Sequence, residues 1–272
     1  MHTLPVRFKI YLRYMRIVLF AVLFLAISIT LPAQKSITNQ SLIWYNFNLH
    51  IQMKKWFIKT DFQERHYIQP SAQHQFVMRT LAGRSVGNNW DVALGFCGFL
   101  QSPNDPYSNS DLIIPELRPF TDVYYRQQTK HLSIDHRYRF EVRFFHNTNT
   151  TGTELANGYD FGNVRFRYQL QLTIPVWKID QTRSLKVRLG DEVMLNAGKK
   201  IVTNIFDQNR VWGGLNIDAT QWLNFDVGYL NWFQQRSNGK FYNRHILRFG
   251  FNFRIDLTEQ IGKRKNRELK QP

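Results

Sequence analysis

From Leu247 to Leu257 every second residue is apolar: Leu247, Phe249, Phe251, Phe253, Ile255 and Leu257 alternate with Arg248, Gly250, Asn252, Arg254 and Asp256. Successive side chains of a strand point to opposite faces, so a strict period of two makes one apolar face and one polar face. A helix would need a period of 3.6. The same alternation sets Ile43, Tyr45, Phe47, Leu49 and Ile51 against Trp44, Asn46, Asn48 and His50. It sets Leu132, Ile134, Tyr138, Phe140, Val142 and Phe144 against Ser133, Asp135, Arg137, Arg139, Glu141 and Arg143. Val164, Phe166, Tyr168, Leu170, Leu172 and Ile174 oppose Asn163, Arg165, Arg167, Gln169, Gln171 and Thr173. Weaker versions run near 56–65, 75–83, 90–100, 116–127, 185–195, 210–219 and 222–233, which brings the strands to eleven.

These segments run to about 9–13 residues, where globular strands average about 5–6. Tilted strands of about 9–11 residues are what a bilayer requires. The polar faces carry an unusual density of charge: Glu116 and Arg118, then Arg137, Arg139, Glu141 and Arg143, then Arg165 and Arg167, with Arg210 later in the chain. Arginines and carboxylates turned into a narrow closed barrel, with Phe and Leu turned to lipid, account for both faces at once. Closure also pairs the edge N–H and C=O groups that lipid could not satisfy. The expected fold is therefore all-β, a closed antiparallel transmembrane β-barrel of 10–12 strands.

Short turns fall near 53–54, 87–88, 129–130 and 220–221, and longer polar connections near 66–74, 101–113, 146–160, 196–207 and 234–242. Bacterial barrels have even strand numbers, short periplasmic turns and both termini inside, so twelve strands are favoured, with an extra first strand between Gln34 and Gln40. Asp191 falls on the apolar face of its strand, and a bulge at Gly190 would re-aim it. A soluble exported β-sandwich that buries its apolar faces against each other is the alternative fold.

Arg7, Lys9, Arg13 and Arg16 precede an apolar run from Ile17 to Leu31 and then Pro32, Ala33 and Gln34. A basic segment, a short apolar core and a small residue at the break describe a secretory signal peptide over residues 1–33. The run is short for a membrane anchor. The barrel then occupies 34–258, and 259–272 forms a basic tail. The formal charge of +16 does not point to nucleic acid. Its basic residues are spread one per alternate strand position and the chain is exported, so lipopolysaccharide phosphates and the lumen are the better partners for it. A lone Cys97 excludes an internal disulfide and a thiolate metal site.

No cofactor or metal motif is evident, and the chain reads as a non-enzyme. The alternative is an outer-membrane lipid hydrolase, since His136 lies on an apolar strand face, but no serine can be assigned to it from spacing. For Glu116, Arg118, Arg137, Arg139, Glu141, Arg143, Arg165, Arg167 and Arg210 two roles stand side by side. They either fill and rigidify the barrel or form an element that attracts anions along a pore. The expected role is structural or passive small-solute passage through a charged lumen.

Several blocks carry a resemblance: Leu117-Arg118-Pro119-Phe120 followed by Tyr124-Tyr125; His136 through Phe144; Arg165 through Leu170; Phe206-Asp207-Gln208-Asn209-Arg210; and Gly228-Tyr229-Leu230-Asn231. From Trp44 to about Leu257 the chain resembles an uncharacterised family of predicted outer-membrane β-barrels of Gram-negative bacteria, catalogued as a domain of unknown function. The resemblance implies the fold and the outer membrane and brings no activity. It also implies delivery by the outer-membrane assembly machinery. The aromatic strand Phe249/Phe251/Phe253 would serve as that signal, although the basic segment 263–267 follows it.

Overall fold

The computed structural model describes residues 36–198, 201, 205–236 and 239–259, so the expected signal peptide and nearly all of the basic tail lie outside the described residues. Among the described residues eleven strands form one closed barrel: β1 (Ile37–Met53), β2 (Trp56–Tyr67), β3 (Ala72–Gly87), β4 (Trp90–Gln101), β5 (Ile114–Gln128), β6 (Ser133–Thr148), β7 (Leu155–Lys178), β8 (Ser184–Ala197), β9 (Phe206–Asp218), β10 (Leu223–Gln235) and β11 (Phe241–Asp256). Each strand pairs antiparallel with its sequence neighbours, and β1 closes the sheet on β11. No described helix is long and apolar enough to cross a membrane.

The favoured count of twelve is corrected to eleven. The residues assigned to an extra first strand, from Ile37 to Gln40, are the opening of β1 itself. An odd number of alternating strands leaves the first and last pointing the same way, so the closing pair is parallel, with Ile37 opposite Phe241 and Gln52 opposite Asp256. The barrel is therefore not antiparallel throughout, and its strands do not begin and end at one mouth. Ile37 lies at the end that carries the longer connections 102–113, 149–154 and 198–205. Asp256 lies at the end of the turns 54–55, 88–89, 129–132 and 219–222.

Local chemistry sets these turns. Asn88 and Asn89 take positive φ of 50° and 65°, the pair of left-handed residues that a two-residue hairpin matched to strand twist requires. In the turn 179–183, the Asp180 carboxylate accepts from the Arg183 guanidinium and from the backbone N–H groups of Thr182 and Arg183, which hold it well below the usual carboxylate range.

The two faces of the wall are inverted relative to a water-soluble protein. Phe140 is 51% exposed outside, while its neighbours Arg139 and Glu141 are 3% and 1% exposed inside. Leu94, Phe96, Phe47, Leu247 and Phe166 also face outward. Trp56, Trp90, Trp177 and Trp222 stand exposed around the short-turn end, whereas Trp44, Trp212 and Trp232 face inward. The interior is not purely polar. Phe57, Val77, Leu81, Phe99 and Phe120 form one inward cluster along β2–β5, and Leu42, Trp44, Tyr67, Leu230, Trp232 and Ile246 form a second.

Asp191 does face outward and accepts from Asn209 Nδ2 at 2.6 Å, but the ladder around Gly190 is regular, so no bulge re-aims it. Gly190 instead makes room for an inward indole, since a Cβ there would stand 2.2 Å from Trp212. Gly214 and Gly228 face each other across β9–β10, and a Cβ on Gly214 would meet the Val227 carbonyl at 2.5 Å and the Gly228 Cα at 2.7 Å. Backbone cannot yield as a side chain can. Gly214→Val is expected to lower unfolding stability by about 1–3 kcal/mol, seen as a lower midpoint of the heat-induced change in gel mobility. Gly98→Ala, which meets nothing within 4 Å, should leave the midpoint unchanged.

Candidate functional site

The charge-bearing faces of β5 to β9 meet inside the barrel because register places them opposite one another. Asp122 pairs with Arg139, Glu141 with Arg165, Arg139 with Arg167, and Glu192 with Arg210. The Arg139 guanidinium donates to both oxygens of Asp122 at 2.6 and 2.7 Å, and the Tyr124 hydroxyl donates to the same carboxylate. Glu116 accepts from Arg118 at 2.6–2.7 Å and from Arg143. Glu141 accepts from Arg167 at 2.7 Å and lies 3.7 and 3.8 Å from Arg139 and Arg165. Glu192 gathers Arg137, Arg167 and, at 3.9 Å, Arg210.

All nine residues singled out from the sequence thus lie in the lumen, in two ion-paired groups: Glu116 with Arg118 and Arg143, and Arg137, Arg139, Glu141, Arg165, Arg167 and Arg210 joined through Glu141 and further carboxylates. Three carboxylates that complete the second group, Asp122, Glu192 and Asp207, were not among them. Asp122 continues the inward parity of Glu116 and Arg118, which is the signal that could have found it. Glu192 was hidden behind the anomalous Asp191 beside it. Asp207 breaks the alternation: the register shift between Met194 and Leu195 leaves Asp207 and Gln208 both buried, and Asp207 reaches Arg165 at 2.9 Å.

Guanidinium planes also cover the inward rings. Arg118 sits 3.8 Å from the centre of Phe99, Arg139 4.0 Å from Phe120, and Arg65 4.0 Å from Trp44. Flat delocalised cations can be dehydrated against aromatic faces in this way, which an ammonium does poorly.

Toward the long-loop mouth the lumen narrows. The connection 102–113 folds across it, and the Asn104 carbonyl accepts from the Tyr67 hydroxyl at 2.9 Å and from Gln40 Nε2 at 2.8 Å. Its side-chain oxygen accepts from Arg244 at 3.1 Å. Arg244 is fully buried and also donates to Gln40 and Gln234, and His74 is packed between the rings of Tyr67 and Trp232. Below this cap a small space of about 50 Å³ lies among Arg118, Glu141 and Arg165.

Toward the short-turn mouth the lumen opens into a cavity of about 490 Å³, continuous through Lys59, Arg137 and Arg188 with a hollow of about 610 Å³ that reaches the turn 129–132. Ten arginine and lysine side chains line the inner cavity against three carboxylates, Asp61, Glu192 and Asp226. A closely packed level and an open, basic level thus lie at different heights of one lumen.

Among the described residues no group of three or more His, Cys, Asp and Glu is placed to hold a metal ion. His136 faces outward near the short-turn rim, where its Nδ1 lies 3.0 Å from the Tyr168 hydroxyl and its ring beside Tyr125.

Removing one partner of a buried pair strands the other charge. Asp122→Leu is expected to destabilise the barrel by about 3–5 kcal/mol in urea unfolding, and Asp122→Leu combined with Arg139→Met to recover most of that loss.

No curated protein matches the chain. Two solved structures are distantly similar. The NanC porin, in a rhombohedral crystal form, shares 11% identity at a TM-score of 0.40, over 73% of this chain and 88% of that one. LpxR from Salmonella typhimurium shares 9% identity at a TM-score of 0.41, over 73% and 83%. Residues 41–243 match the family described as Protein of unknown function (DUF2490), and the chain belongs to that family.

Proposed function

We propose that the protein is an outer-membrane β-barrel that takes small anionic solutes into a basic lumen from its short-turn, periplasmic end. The opposite end is closed by the packed arginine–carboxylate level with the connection 102–113 above it. One observation carries this reading: paired arginines and carboxylates are buried inside while Phe, Leu and Met side chains are exposed outside. Water would reward the reverse arrangement, and a hydrocarbon surround rewards this one.

The outward apolar run of β1, from Ile43 to Ile51, covers about 26 Å of strand at ~3.3 Å per residue, the extent of a tilted membrane-crossing strand. The exposed tryptophans at the short-turn end sit where an aromatic girdle meets the headgroups. Lipid acyl chains and, at the long-loop rim, lipopolysaccharide are the surroundings this reading implies, and the assembly machinery would deliver the barrel. The basic excess of the open half of the lumen favours anions over cations.

Cells expressing the full chain should yield it with the outer membrane, and unboiled and boiled samples should differ in gel mobility. Recovery in the aqueous fraction without a mobility change would sink the reading. In planar bilayers the intact protein should conduct weakly with chloride preferred over potassium, and deletion of residues 104–111 should leave it weak, because the packed level beneath the cap stays in place. A several-fold rise on deletion would show that the cap alone is the barrier.

A further inference from the structure

The lumen wall contains a bare stretch flanked by two cations. Arg188 of β8 pairs with Gly214 of β9, Gly214 with Gly228 of β10, and Gly228 with Arg248 of β11, so the four residues form one row across four strands. Arg188 and Arg248 line the inner cavity with Trp212, and the two glycines put no side chain between them. A recess of about 40 Å³ remains over the glycines, bordered by Trp212 and Asp226.

The charges of this row do not cancel. Asp226 is fully engaged: it accepts from Arg188 at 2.8 Å, from Asn216 Nδ2 at 2.9 Å and from Asn252 Nδ2 at 2.7 Å. Arg248 forms no ion pair among the described residues, and its guanidinium lies 6.0 Å from the centre of the Trp212 ring. The Nε of Arg188 is buried and has no hydrogen-bond partner. Elsewhere in the lumen the buried arginines have carboxylate partners or, at Arg65 and Arg244, side-chain amides, and Arg248 has neither. Here the second carboxylate is missing and a small space stands in its place.

We propose that this recess is a binding site for an oxyanion group, phosphate or carboxylate, of a small solute, with Arg248 supplying the main contact and Arg188 the second. A bound oxyanion would take the position of the missing carboxylate, accept from guanidinium donors on either side and lie close to the backbone because no Cβ intervenes. The site rests on the lumen reading above and makes it specific. The cup does not attract anions only diffusely, but holds one group at one level of the wall.

The test is calorimetric titration of the folded full-length barrel in detergent with inorganic phosphate and with citrate, at constant ionic strength balanced by chloride. Saturable heat is expected for at least one of them, with a parallel change in tryptophan emission from Trp212. Arg248→Gln should weaken binding by about tenfold or more while the heat-dependent mobility shift is kept, since Arg248 supports no other carboxylate. Arg254→Gln, at the mouth of the same cavity, should change binding by less than about twofold, as expected of a more distant, screened charge. Absence of saturable heat with both anions overturns the site. So does equal weakening by Arg248→Gln and Arg254→Gln, which would mean diffuse attraction by the whole vestibule. Because binding is read on purified barrel, failure of outer-membrane recovery would overturn the location and leave the site standing, and loss of binding with recovery intact would do the converse.

Discussion

A guanidinium enclosed by a wall whose outside is Phe and Leu has lost most of its water and must be repaid by carboxylates or aromatic faces within reach. Much of the interior follows from that demand. Asp122 stands opposite Arg139 because β5 and β6 pair in that register and no other. A slip of a strand by one residue would turn its inward charges outward and its outward apolar side chains inward, so the buried pairs and the apolar exterior fix the same alignment from two sides. Where strand geometry fails to supply a carboxylate, the chain bends to provide one: the bulge of β9 turns Asp207 inward to Arg165.

The demand is met unevenly along the axis. Near the long-loop end, carboxylates, amides and rings answer each arginine closely enough that little space is left, and the connection 102–113 adds its own carbonyl to the cap. Near the short-turn end, cations outnumber carboxylates and space is abundant. A packed level and a basic cavity thus succeed one another along a single lumen.

Much of this was legible in the chain. The period of two marked all eleven strands and separated outward Phe140 from inward Arg139 and Glu141, because a barrel strand has a different solvent on each face. The count went astray at one place. Ile37 to Gln40 run straight into β1, but the polar run Asn39-Gln40-Ser41 breaks the apolar alternation there, and the even-number habit of bacterial barrels with the alternation of short and long connections argued for a further strand. Asp207 was illegible because a bulge shifts parity without leaving a compositional trace. The cap was illegible for another reason. Asn104 lies in a polar connection like any other, and its contacts with Gln40, Tyr67 and Arg244 are fixed by tertiary position. The inward apolar clusters were missed because Phe57 and Phe120 sit on faces whose neighbours are charged, and guanidinium stacking makes that mixture stable.

The seam between β1 and β11 also fixes an order of events in time. Its partners are the most distant in the chain: Ile37 meets Phe241, and Asn39 is joined to Asn243 across 204 residues. Each hairpin can form as soon as its own two strands exist, but these final hydrogen bonds wait for the whole strand sequence to be present, and they carry the largest loop-closure entropy. Until then β1 and whichever strand was last added present two open edges. The seam is therefore the last part of the barrel to close. A chain cut short anywhere before β11 would keep one edge of β1 open, a row of backbone donors and acceptors on which a foreign strand could add.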